Sequence, residues 1–508
     1  MAFFEIHGSY LSLMGGQGKK SINVLWFKRD LRLVDHAALA EACQSPLPLL
    51  MVYLCEPFIW KDPHYDVRHL NFVRESLRDM KLALSSKGSG FLCLESETLP
   101  FFAYLDRNFK IETVFSTQET GLDITYQRDI AFADFCDQRA VLWREFQNNG
   151  VIRGLKNRNG WRKAWYEYMK APLSVCDLEG ITTLEASDLH GICTEFKALS
   201  LITAENQFQK GGRSEGLSWA DSFFNDRIAN YSDFISKPEN SREGCSRLSP
   251  YFAWGNLSIR EIYQRALALK KTSDYKRQLN SFMSRLRWQS HFIQKFEMEP
   301  RMEFEAVNRA FLSLEQPLNE IYVGAWKTGQ TGYPLVDASL RCVAETGYIN
   351  FRMRAMVTSF LTHHLFQHFR TGSAWLARQF LDFEAGIHYG QMQMQAGFTG
   401  TNTVRVYNPT KNALEHDAEA IFIKKYVPEL RPLPKHLAIE PWKITDMEAE
   451  MYAFQYGNDY PRRIVDIQET RKNAVEKLYG QRKSERGRSE RKRILDTHTI
   501  KGKSRRSE

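Results

Sequence analysis

Cysteine is scarce in this chain, and what there is lies scattered. The 508 residues hold eight, with no CxxC pair and none beyond Cys342. That excludes a disulfide framework and leaves no ligand set for a zinc or iron–sulfur site, so a reducing, cytoplasmic setting without a metal is expected. No apolar run approaches the roughly 20 residues of a membrane span, and no basic segment precedes an apolar core near the N-terminus. Neither a membrane partner nor a secretory signal is expected. The fingerprint GxGxxG is absent. The stretch from Gly15 to Lys20 (GGQGKK) lacks the GxxxxGK[ST] spacing and precedes a strand-like run instead of following one, so it is not read as a phosphate loop. Internal repeats are also missing.

Aromatic residues, in contrast, are plentiful: 11 Trp, 21 Tyr and 33 Phe. Such a load suits a flat cofactor and equally suits a helical core. The net charge of +9 is unevenly placed. Residues 482–508 hold eleven Lys or Arg against four Asp or Glu, so seven of the nine net charges lie in the last 27 residues. A tail of this kind reads as disordered in isolation and drawn to nucleic acid, or simply as solvated.

Length implies two or three domains, and the pattern divides the chain into two principal ones. Residues 1–20 read as a flexible extension. From 21 to 155 short continuous apolar strands (Ile22–Phe27, Leu47–Cys55, Phe91–Leu94, Thr113–Ser116) alternate with amphipathic helices near 35–44 and 66–84. That pattern predicts an α/β domain, a doubly wound parallel sheet covered on both faces, which would bind ligands beyond the carboxyl ends of its strands. The cations of Trp26-Phe27-Lys28-Arg29-Asp30-Leu31-Arg32 lie at such an end, to hold a ligand or to cap the next helix. Residues 156–215 lack a strong period and read as a surface connector. From 216 to 470 the periodicity is helical, and an all-α C-terminal domain is predicted. Residues 471–508 read as the basic, disordered tail.

The chemistry concentrates in 346–411. Arg352 and Arg354 sit in an otherwise apolar helical run, and Asp382, Glu384 and His388 follow. A buried arginine needs a carboxylate, so Arg354 and Asp382 should meet across a helix pair, either framing a polar ligand or only pinning the helices together. His388 could exchange a proton near neutral pH or be a core histidine bonded to a backbone carbonyl. Ser246-Arg247-Leu248-Ser249-Pro250-Tyr251 follows two turn signals and offers amides, hydroxyls and a guanidinium suited to a pyrophosphate, though a plain capping loop reads the same. His364 and His368 share a helix face beside His363, without an acidic third ligand, so a structural role is read there.

Together these stretches carry a resemblance. WFKRDLR (26–32), CSRLSP (245–250), QTGYPLVDA (330–338), YNP (407–409), FI (422–423), PEL (428–430) and EPW (440–442) occur in the order and context of the photolyase/cryptochrome family, across roughly residues 21–442. The resemblance implies an α/β domain of the kind able to hold an antenna pigment, of folate or deazaflavin type, and an all-α domain that holds FAD. It places Tyr231, Ser246, Arg247, Leu248, Ser249 and Phe252 along the FAD phosphates. Arg285, Trp288, Arg354, Asp382, Glu384 and His388 would be set around the flavin, with His388 facing N5. Trp288, Arg352, Met394 and Arg405 would contact DNA, and Trp288, His388 and Arg352 would serve catalysis.

The departures are as informative. Where many relatives carry three electron-relaying tryptophans, this chain has Met392, Phe369 and a Trp-free stretch near 310–320; Tyr348, Trp375, Tyr389 or Trp288 are the substitutes on offer. Where cyclobutane-dimer photolyases have Glu, Asn, Met and Trp, it has Arg285, Phe351, Ala355 and Met394. The histidines of (6-4) photolyases would fall at Phe351 and Ala355. The function expected is blue-light-driven, FAD-dependent repair of DNA carrying UV lesions, by electron transfer to a flipped-out cyclobutane dimer, in a monomer. The alternative is a cryptochrome-like photoreceptor without repair.

Overall fold

The computed structural model describes residues 19–85 and 90–499. Residues 1–18 of the expected N-terminal extension and the last nine residues of the basic tail lie outside the described residues.

Five strands form one parallel sheet: β1 (Ser21–Phe27), β2 (Leu49–Cys55), β3 (Phe91–Glu95), β4 (Lys110–Thr117) and β5 (Leu142–Phe146), in the order β3-β2-β1-β4-β5. Strands β1 and β2 are buried almost throughout, as a sheet covered on both faces requires. Ile22, Val24 and Trp26 face one layer, where Phe102 and Phe132 close edge-on over the Trp26 ring. Leu25 and Phe27 face the other layer, whose core runs on into the helical body. Strand β5 escaped the sequence reading, since Leu142-Trp143-Arg144-Glu145-Phe146 is a polar edge strand with Leu142 more than half exposed.

Two segments differ from expectation. The 156–215 connector carries helices Trp161–Lys170 and Ala186–Glu195. Trp161, Trp165 and Met169, spaced at i, i+4 and i+8, are all buried, a stripe diluted by the polar residues around it. The segment read as a disordered tail carries helices Ile467–Lys483 and Glu485–His498. Its apolar stripe is thin (Ala474, Leu478, Ile494), and its charge is anchored on the body. Arg493 lies 3.0 Å from Glu299, which His498 also meets at 2.5 Å, and Arg482 donates to Gly400 O at 2.9 Å. Charge density alone suggested disorder; specific partners fold the segment down.

No helix among the described residues is long and apolar enough to cross a membrane.

Candidate functional site

Three helices of the C-terminal body, Phe351–Ser359, Arg370–Gln379 and Ala385–Gln395, line a partly open cavity of about 420 Å³. The last of these lies against the long Lys276–Met298 helix because Gly386 and Gly390 leave room. A Cβ at Gly386 would come within 2.8 Å of Ile293 Cα, and one at Gly390 within 2.9 Å of Phe292 Cδ1. With its glycine face packed, the helix turns Ile387, His388, Gln391, Met392 and Gln395 to the cavity. Asn350 starts the Phe351–Ser359 helix by accepting from Met353 N at 3.0 Å, and that helix supplies Arg354, Ala355 and Thr358.

Arg354 and Asp382 meet at the cavity wall. One guanidinium nitrogen, Nη2, spans both carboxylate oxygens at 3.0 and 2.8 Å. Nε donates to Ile349 O at 3.0 Å, and the guanidinium lies 3.9 Å over the Phe380 ring. The contact is a single-nitrogen bridge, so the Nη1 side of the fork is not spent on Asp382.

Glu384 is buried, and its nearest cation, Arg29, stands 3.8 Å away. Burial pushes its carboxyl up to about 7; Arg29 opposes the shift and Glu119 adds to it. An unfolded chain would ionise this group near 4.5. Between those values the folded state binds more protons, so the Glu384 contribution to stability falls as pH rises from about 4.5 to about 7 and is level above. The difference is on the order of 3 kcal/mol. Glu384→Gln should therefore gain stability relative to wild type as pH rises through that window. Parallel thermal-unfolding profiles of the two proteins would contradict the reading.

His388 donates from Nε2 to Ser373 O at 2.9 Å and also lines the cavity. Burial, then the neighbouring His64, drive its pKa down to about 3, so the ring stays neutral near pH 7. Its other nitrogen, Nδ1, is then an acceptor. Of the two sequence alternatives the ring takes the second, bonded to a backbone carbonyl, while still lining the cavity.

The Ser246–Phe252 stretch forms a separate cradle. Arg247 adopts a left-handed backbone (φ 58°) and stacks 3.8 Å over Tyr348. Its Nη2 donates to Gln209 Oε1 at 2.7 Å, while its buried Nε has no partner. Leu248 and Phe252 are buried, as is Tyr231, which packs edge-on to Phe223 and Phe282. Arg352 does not join Arg354. It faces an open groove of about 1350 Å³, shared with Arg405, Lys411 and Arg471 and with one carboxylate, Glu415. Trp288 is 44% exposed on the Lys276–Met298 helix, against His291 and Phe292. Arg285, Trp288 and Met394 line neither the cavity nor the groove. The three histidines 363, 364 and 368 do not converge on one point: His363 meets Ser359 Oγ, and His364 meets Thr470 Oγ1 and Tyr407 O.

Arg29 was read only as a cation at a strand end. It crosses from β1 to the helical body, donating to Ala253 O at 3.1 Å and Phe383 O at 2.5 Å, and lies 4.4 Å over Trp254. Arg29 and Glu384 also line a crevice of about 520 Å³ with Thr117, Glu119, Asn148 and Arg153. It lies beyond the carboxyl ends of β1, β4 and β5, where the strand order reverses.

The donor set fits an extended, anionic, heteroaromatic cofactor. A buried guanidinium N–H without a partner suits a pyrophosphate, and a cavity with a charged rim and an apolar floor suits a flat polar ring.

Two family models match: "DNA photolyase" over residues 23–156 and "FAD binding domain of DNA photolyase" over 282–480. A deoxyribodipyrimidine photo-lyase of Alkalihalophilus pseudofirmus is 26% identical over 477 residues, covering 90% of this chain and 97% of the relative. Among solved structures, a Synechocystis cryptochrome aligns with TM-score 0.79 at 21% identity, covering 91% of this chain and 99% of that one. An archaeal photolyase from Sulfolobus tokodaii, described with two FAD molecules and a light-harvesting role, aligns with TM-score 0.72 at 24% identity over 90% of this chain and 100% of that one.

Proposed function

Because the chain belongs to the photolyase/cryptochrome family, whose FAD-binding domain it carries, we propose that it is a light-driven DNA repair flavoprotein of the cyclobutane-dimer type, working as a cytoplasmic monomer. One observation carries the reading. Arg352 and Arg354 are two residues apart on one helix, so they point to opposite sides. Arg354 lines the cavity beside Asp382 and Glu384, and Arg352 the basic groove. A single helix thus separates a cofactor-type site from a polyanion-type site.

FAD bound in the cavity would supply, when reduced and excited by blue light, the electron that splits a pyrimidine dimer. The protein's own residues do the rest. Arg354 and Asp382 present a fixed charge pair to the ring edge. Glu384 is a proton donor below about pH 7, and neutral His388 offers an acceptor. The four cations of the groove hold phosphates, and a damaged, weakly paired base is extruded at low cost. Exposed Trp288 offers a stacking face to DNA. The crevice beyond β1 and β4 is the place proposed for a second, antenna pigment.

The test is repair with chemically reduced flavin, without oxygen, on an oligonucleotide bearing one cyclobutane thymine dimer. Strands restored under blue light above the dark control are expected. A second reading, a cryptochrome-like photoreceptor, draws support from Phe351, Ala355 and Met394, which replace the residues usual in dimer photolyases. No repair at full FAD occupancy would favour it.

A further inference from the structure

Beside the cavity, three groups from two distant parts of the chain form a hydrogen-bonded line. Tyr389 Oη lies 2.5 Å from His64 Nε2, and His64 Nδ1 lies 2.6 Å from Asp62 Oδ1. Tyr389 is 2% exposed and His64 7%. Tyr389 follows His388, a cavity residue, and the two rings meet edge-on at 5.4 Å. Phe383, another cavity residue, stacks on His64 at 5.6 Å.

The order of partners sets the protons. The Asp62 carboxylate is acceptor-only, so with neutral His64 the Nδ1–H donates to it and Nε2 holds a lone pair. Tyr389 Oη–H is then the donor to Nε2. Burial pushes the Tyr389 phenol far above its ordinary range, so it does not ionise unaided. Oxidising such a phenol without a base would leave a positive charge in a dry site. His64 is a base already in place, and Asp62 would stabilise the imidazolium.

We infer that Tyr389 is the side chain that reduces the light-excited flavin, with His64 taking its proton. The inference rests on the proposed flavin site. In the step Tyr389 loses one electron and one proton: the Oη–H bond breaks, an N–H bond forms at His64 Nε2, and the flavin gains the electron. The resulting neutral phenoxyl is restored by an external thiol, which supplies one electron, and by return of the proton from His64.

The other redox-active candidates are less well equipped. Tyr348 lies against the Arg247 guanidinium at 3.8 Å, which opposes loss of an electron. Trp375 pairs with Trp326 at 5.3 Å, but Trp326 Nε1 donates to the backbone carbonyl of Val357, and no carboxylate or imidazole is hydrogen-bonded to either ring among the described residues. Trp288 stands outside the cavity, 44% exposed.

The experiment uses the full-length protein loaded with FAD, without DNA or oxygen and with a thiol present. Flavin occupancy is read first from the visible spectrum; protein that takes up no FAD would sink the site on which the inference rests. Blue light is then applied, bleaching of the oxidised-flavin band is timed, and frozen samples are examined by electron paramagnetic resonance. Wild type should bleach and show a radical whose line shape changes when ring-deuterated tyrosine is incorporated. Tyr389→Phe should abolish both, yet keep FAD and keep repair after chemical reduction. His64→Gln should slow bleaching about a hundredfold, the low end of what a positioned base contributes. Asp62→Asn should slow it less. Wild-type bleaching in Tyr389→Phe, or bleaching that instead stops in Trp375→Phe, would overturn the assignment.

Discussion

Arg354→Ala is expected to lose its flavin. The substitution strands Asp382, whose side chain is 7% exposed, without a cation at the cavity wall. Removing one partner of a buried pair costs about 3–5 kcal/mol. Even the lower end, applied to cofactor binding, weakens it by a factor of about 100 or more. Purified protein should therefore be nearly colourless, and titration with FAD should show the weakened binding directly. Arg352→Ala is the informative partner, because Arg352 faces the basic groove and not the cavity. It should keep flavin and weaken DNA binding, with the salt slope reduced by about one. Full flavin retention in Arg354→Ala would remove the cavity from consideration as the flavin site.

A larger loss of stability is expected in the α/β domain. Arg128 is buried among three carboxylates. Its Nη1 donates to Glu56 at 2.7 Å, Nη2 to Glu119 at 2.7 Å, and Nε to Asp129 at 3.0 Å. Lys28 offsets part of the remaining charge from 3.2 Å at Asp129. Burial raises the pKa of Glu56, with Arg128 restraining the shift. Arg128→Leu would leave these acids facing one another without their shared cation. A loss of about 4–5 kcal/mol is expected, or roughly 10–20 °C in the melting temperature of a domain this size. The sign of its pH dependence separates charge from packing. Without Arg128 the carboxyls take up protons, so the folded chain binds more protons than the unfolded one, and the deficit should deepen as pH rises above the ordinary carboxylate range. Adding Glu56→Gln and Glu119→Gln should recover part of it. A deficit that is flat with pH would mean that lost packing dominates.

Several sequence expectations depended only on neighbours along the chain. Continuous apolar runs announce β1 and β2 because a strand buried on both faces needs apolar residues at every position. The Lys276–Met298 helix is legible, at 275–296, for the same local reason. The Ala385–Gln395 helix was not read as such, because His388, Gln391, Gln393 and Gln395 obscure its period. His388, Gln391 and Gln395 are tolerated because they line the cavity, and Gln393 because its amide pairs with Met302 O, Glu305 O and Val307 N. The helices at 467–498 were missed because a thin stripe is outweighed by charge, and their anchors, Glu299 and Gly400, lie far back in the chain.

Composition and order of motifs were enough for the family, the two-domain plan and the pairing of Arg354 with Asp382, since each rests on local pattern or on a buried charge needing its opposite. They could not turn His388 between a carbonyl and a cavity, or join Tyr389 to His64 across 325 residues. Nor could they send Arg29 from the end of β1 into the helical body. Such contacts depend on which surfaces of the folded elements meet, and local propensity does not encode the packing angle or the register that decides it.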